Sequence, residues 1–197
     1  MAVETMGDKY SFGVADYFGE LVDDRIRQAR EEKGRPLVFT DRGAEHARAV
    51  VSRLIAQTRV SLDIVSGHLS FALYDPEFLR RCARTIPGKI RIILIDEPAG
   101  WINSIVPVLS SDIERCYILL RHLSEEKFKQ PRRHFLISDR TTVRTRSSDD
   151  EKSAVVVLNA DATGDGDSIA VQYTRYFESL WKISSEVKLT DFLTTAA

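Results

Sequence analysis

Hydrophobic and polar positions follow two regimes along the chain. Up to residue 124, period-2 and period-3.6 segments alternate; beyond it, period-2 segments follow one another with little between them. The first regime opens with a helix. In VADYFGELVDDRIRQAREEKG, Val14, Tyr17, Phe18, Leu21, Val22 and Ile26 make one apolar stripe, and Gly34 and Pro36 end it. Residues 23–33 are almost all charged and read as the solvated end of a surface helix. PLVFT is a short strand. DRGAEHARAVVSRLIAQT is a helix with Ala47, Val50, Val51, Leu54 and Ile55 at helical spacing. RVSLDIVS is a strand with Val60, Leu62 and Ile64 on one face. In DPEFLRRCARTI, Pro76 stands in the first helical turn behind Asp75, ahead of a stripe of Phe78, Leu79, Cys82 and Ile86. KIRIILID is nearly continuously apolar, as a strand covered on both faces must be. A weaker helix over 103–109 and the strand CYILLRHL complete a β-α-β-α-β-α-β order. That order predicts an α/β fold with a mixed, largely parallel sheet and helices on both faces.

The second regime holds RHFLISD, TTVRTR and SAVVVLNA, joined by turn-like SDR and SSDDEK, so hairpins are expected. The predicted strands are 37–39, 59–65, 89–95, 117–120, 134–137, 142–145 and 154–158. ATGDGDS is a loop ending in a helix cap. A last helix carries Ile169, Tyr173, Tyr176, Phe177, Leu180 and Trp181, an aromatic stripe that reads as core. The division expected is an N-terminal segment and helix, 1–36, followed by one domain, 37–197. The stripe over 14–22 has no place in the core pattern of that domain, which points to a twofold partner.

Composition narrows the classes. The chain has 197 residues, 43% hydrophobic and 29% charged, with a net charge of −1. A balance so near neutral does not suggest binding to nucleic acid or membrane through bulk charge, so any basic function must be local. Cys82 and Cys116 lie in apolar periodic segments without a Cys-x-x-Cys pair, so buried thiols in a reducing cytoplasm are expected. The opening 21 residues are too polar for a signal peptide, and no segment is long and apolar enough to span a membrane. No P-loop or dinucleotide fingerprint occurs, and GDGD at 164–167 lacks the spaced ligands of a calcium loop. Asp96 and Glu97 end a strand without a histidine partner in sequence. Neither a cofactor nor a metal is expected.

The basic residues concentrate in one place. KQPRRHFLISDRTTVRTRSSDD, 129–150, holds Arg132, Arg133, Arg140, Arg144 and Arg146 around one strand pair. Its spacing resembles the phospholipase D superfamily motif, H-x-K-x4-D followed by a strand and G-S-x-N. Asp139 falls on the Asp and Ser147 on the Ser. Arg132 stands at the His, His134 at the Lys, Arg146 at the Gly and Asp149 at the Asn. The strand-helix order and the closing YFESLW helix resemble the same superfamily from residue 37 to residue 187.

The resemblance implies chemistry that the departures alter. In the family, two histidines from two motif copies act as nucleophile and acid, Lys and Asn hold the phosphoryl oxygens, and Asp orients a His. This chain carries one copy, which implies a homodimer. Arginine is neither nucleophile nor base but grips phosphate bidentately. The reading is therefore a catalytically degenerate module that binds phosphate, nucleic acid or a protein partner. Its phosphate-binding residues would be Arg132, His134, Arg144, Arg146 and Ser147. The alternative is a metal-independent phosphodiesterase or nuclease with an altered site across a dimer, with His134 and Asp139 as its catalytic residues. A solvated basic hairpin without a ligand is the third reading. Among the other histidines, His68 follows a strand at the carboxyl edge of the sheet, where α/β sites lie. His46, on a helix, and His122, near a strand end, carry no assigned role.

Overall fold

The computed structural model describes residues 11–32, 34–96, 101, 104–124, 133–147, 153–162 and 168–187, with backbone only at 11–16, 133 and 147. Helix α1 (Ser11–Glu31) leads through Gly34, at φ 87°, into β1 (Leu37–Arg42). Then come α2 (Ala44–Gln57), β2 (Leu62–Ser66), α3 (Pro76–Thr85) and β3 (Ile90–Leu94). Asp75 caps α3 by accepting from the Glu77 N–H, with Pro76 at the first position, as expected. The weaker helix expected over 103–109 is only a 3-10 turn (Pro107–Leu109); the short α4 (Ser110–Glu114) begins after it, and β4 (Ile118–His122) follows. The hairpin strands are β5 (Arg133–Ser138), β6 (Thr142–Ser147) and β7 (Ser153–Leu158), before α5 (Ile169–Ile183) and the two-residue β8 (Ser185–Glu186).

All seven expected strands join one sheet, in the order β1-β7-β6-β5-β2-β3-β4-β8. The parallel part is smaller than alternation implied. Only β2–β3 and β3–β4 pair in parallel, and the other pairings are antiparallel. The cause is topological: the β5–β7 meander inserts between β1 and β2, so β1 lies against β7 at the far edge instead of beside its βαβ neighbour.

Period-2 alternation sends the sheet residues to two apolar layers. Leu62, Ile64, Ile92, Leu136 and Val156 face α1–α3; Val65, Ile93, Phe135, Ile137 and Val143 face Phe177 and Leu180 of α5. The stripe of α1 has a place in the core after all. Val22, Ile26 and Ala29 are buried in the first layer, while Tyr17 and Leu21 stay exposed. The charged half of α1 is tied down as well, through Asp23–Arg53 at 3.0 Å and Arg30–Gln57 at 2.7 Å.

Arg91, inside the apolar β3, is explained by α5. It grips Asp63 bidentately at 2.7 and 2.8 Å, reaches Glu178 at 2.9 Å and lies over the Phe177 ring at 4.7 Å. Cys82 is buried, and burial pushes its thiol up to about 11. Cys116 is exposed, contrary to expectation, because it occupies the α4–β4 turn at φ 57°.

Candidate functional site

The carboxyl ends of β2 and β3 meet the open end of the β5–β6 hairpin around a cavity of about 400 Å³. The strand pairing makes this wall. His134 stands directly opposite Arg146, and Leu136 opposite Arg144. Alternation then puts His134, Arg144 and Arg146 on the cavity side, while Phe135 and Val143 go to the α5 layer. Asp41, Ser66, His68, Ser70, Tyr74, Asp96 and Ser153 complete the polar lining.

Two histidines are fixed here in opposite protonation patterns. The Gly67 N–H donates to Nδ1 of His134 at 3.0 Å, so that nitrogen is an acceptor and the ring proton sits on Nε2. His68 Nδ1 lies 2.9 Å from Oδ2 of Asp96; the carboxylate accepts, so Nδ1 carries a proton and the neutral ring has its lone pair on Nε2. Gly67 stands between the two. A Cβ there would lie 2.8 Å from Asp96 Oδ2, so only glycine lets the carboxylate come this close to the backbone. The Asp96 N–H donates to the Gly67 carbonyl at 3.0 Å, and the Trp101 indole N–H donates to the Asp96 carbonyl at 2.8 Å.

Arg144 lines the same cavity, but its charge is committed. It is 4% exposed, and its Nε donates to Asp41 Oδ2 at 2.7 Å. Asp41, 1% exposed, also accepts from the Ala154 N–H at 2.9 Å. The pair therefore ties β6 to β1 across β7, and Asp41 meets the Arg144 charge behind the cavity wall.

The Asp139 carboxylate accepts from the N–H groups of Arg59, Val60 and Ser61 at 2.9, 2.7 and 3.0 Å, anchoring the β5–β6 turn to the start of β2. It stands five residues from His134 along an extended chain, about 16 Å at strand rise.

Arg132 lies outside the described residues. Ser147 ends β6 opposite Arg133, with its side chain outside them too. GDGD at 164–167 and Glu97 are likewise outside. His46 stacks on Phe18 at 4.7 Å and accepts from the Arg42 N–H at 3.3 Å, and burial lowers its pKa. His122 packs edge-on to Trp101. Among the described residues, no three His, Cys, Asp or Glu side chains group as metal ligands, and no helix is long and apolar enough to cross a membrane.

Sequence reasoning found His134 and Arg146 and missed Asp41, Gly67 and the bond between His68 and Asp96. The available signal for that bond was the position of SGH and Asp96 at the ends of consecutive strands. Parallel pairing of β2 and β3 brings such ends side by side.

No protein-family model and no curated protein matches the chain. Solved structures do match. Nuc from Salmonella typhimurium, a phospholipase D family member, aligns at TM-score 0.56 and 18% identity, over 78% of this chain and 99% of its own. NucT from Helicobacter pylori aligns at TM-score 0.56 and 11% identity, with the same coverage of 78% and 99%. TrmBL2, an archaeal chromatin protein with a novel mode of DNA binding, aligns at TM-score 0.56 and 13% identity, over 89% of this chain. This chain spans 63% of the TrmBL2 length. The fold is phospholipase D-like.

Proposed function

We propose that this phospholipase D-like chain binds a phosphate-bearing ligand, a nucleic-acid strand foremost, at the cavity between β2, β3 and the β5–β6 hairpin. The observation that carries the reading is the cross-strand pair of His134 and Arg146 on the cavity wall. Both side chains bring N–H donors, and an arginine at such a wall suits the bidentate geometry of a phosphate. Arg132, two residues before His134 and at the family's nucleophile position, adds a charge and removes the covalent route, since guanidinium neither attacks phosphorus nor accepts a proton. TrmBL2, with the same fold, binds DNA, which supports nucleic acid over a free metabolite as the ligand. Ser147 would contribute from the end of β6.

A homodimer belongs to this proposal. It would bring two such cavities to one strand, and the exposed Tyr17 and Leu21 on α1 are apolar surface suited to the contact. A protein partner on that surface is the other form of the module.

The experiment is a fluorescence-anisotropy titration of a 5′-labelled single-stranded oligonucleotide at 50 and 200 mM salt, with light scattering on the same samples. Saturable binding that weakens steeply with salt supports the reading, because each neutralised phosphate releases counterions. Absence of binding at the lower salt contradicts it, and a mass of one chain at all concentrations contradicts the dimer.

A further inference from the structure

The pair His68–Asp96 does not belong to the motif that suggested the phosphate site. It comes from the loops after β2 and β3, yet it lines the same cavity as His134 and Arg146. We infer that His68 is a general base in that cavity, held by Asp96, and that it activates water for metal-independent hydrolysis of a phosphodiester bound by Arg146 and His134. The inference rests on the phosphate site proposed above.

The geometry assigns distinct parts to the two histidines. Asp96 accepts from Nδ1 of His68 at 2.9 Å, which fixes the ring and leaves Nε2 with the lone pair a base requires. His134 cannot share that part. Its Nδ1 already accepts from the Gly67 N–H at 3.0 Å, and protonating it would set two donors against each other. His134 is thus a neutral Nε2–H donor, suited to an oxygen that gains negative charge. Gly67 couples the two, because its N–H fixes one histidine and its missing side chain admits the carboxylate that fixes the other. His68 is half-exposed, with 49% of its side chain accessible, so solvent water reaches it.

The step balances without a further reactant. His68 Nε2 takes one proton from water as the water oxygen bonds to phosphorus. The bond from phosphorus to the leaving oxygen breaks, and that oxygen takes a proton from solvent. His68 then returns its proton to solvent. The products are a phosphomonoester and an alcohol, and no covalent enzyme intermediate forms. Asp96 is a positioning residue.

The test uses the full chain with bis(p-nitrophenyl) phosphate in EDTA, alongside the oligonucleotide titration. Turnover should fall at least about 100-fold in His68→Ala, as loss of a general base predicts. Oligonucleotide affinity should stay within about threefold, because His68 donates nothing to the anion. Asp96→Asn should lower kcat and leave KM near the wild-type value. His68→Gly should regain part of its turnover with added imidazole, which a merely structural role would not allow. Imidazole nitrogen NMR gives a reading independent of activity: His68 should carry its proton on Nδ1 and His134 on Nε2. Turnover that survives His68→Ala, the reverse tautomers, or a wild type that binds the oligonucleotide without hydrolysing the diester would each overturn the inference. Failure of the wild type to bind would instead overturn the phosphate site beneath it.

Discussion

Arg144 and Arg146 stand two residues apart on one face of one strand and line one cavity, yet they serve different ends. Arg144 is the buried one: Asp41 neutralises it, and together they lock β6 to β1. Arg146 stands two pairs nearer the open end of the hairpin, opposite His134. The same contrast runs along β5. Asp139 at one end satisfies three backbone N–H groups, whereas His134 at the other end lines the cavity. In both strands one polar group holds the fold together, and the other lines the cavity. A charge on a cavity wall is not evidence of a binding role until its counter-charge has been located.

The contrast breaks first at Arg144. Arg144→Met should destabilise the protein by about 3–5 kcal/mol, because it leaves Asp41 buried without its partner. Denaturant unfolding measures this, and adding Asp41→Leu should restore much of the loss. Asp139→Ala should cost about 2–3 kcal/mol, as three N–H groups lose a charged acceptor; oligonucleotide affinity of the folded protein should not change. Arg146→Ala should reverse the emphasis, with binding weakened by about 1–3 kcal/mol and a smaller loss of stability than in Arg144→Met. An Arg146 variant as destabilised as the Arg144 variant would remove the distinction between them.

The smallest effect sharpens the comparison from outside. Burial holds the pKa of His46 below the ordinary 6.5, while Asp41 raises it and Arg144 lowers it. In Arg144→Met the unpaired Asp41 should therefore raise the His46 value, which proton NMR titration would follow. The sign for stability is fixed in the wild type. The folded state binds the His46 proton more weakly than the unfolded state does, so this residue's contribution is present above 6.5 and is lost as pH falls from there through the lower folded value.

Much of the fold was legible because it is local. The strand at 62–66 is buried at every position, and Asp75-Pro76 capped α3 as read. The parallel count was overestimated because local alternation does not reveal that the β5–β7 meander separates β1 from β2. The fate of the α1 stripe depended on α2, and that of Cys116 on a single turn residue at positive φ. At the site, motif spacing located His134 and Arg146. It could not show that Arg144 meets Asp41 from 103 residues away, or that His68 meets Asp96 across parallel strand ends. Such pairings belong to register, which a linear pattern does not carry.

The most direct test of the central claim is imidazole and guanidinium NMR of the full chain during titration with a short 5′-phosphorylated oligonucleotide. The account predicts saturable shifts at His134 and at Arg146 Nε, a smaller shift at His68, and an unmoved Arg144. Shifts confined to other surfaces, with His134 and Arg146 unchanged at saturation, would contradict it.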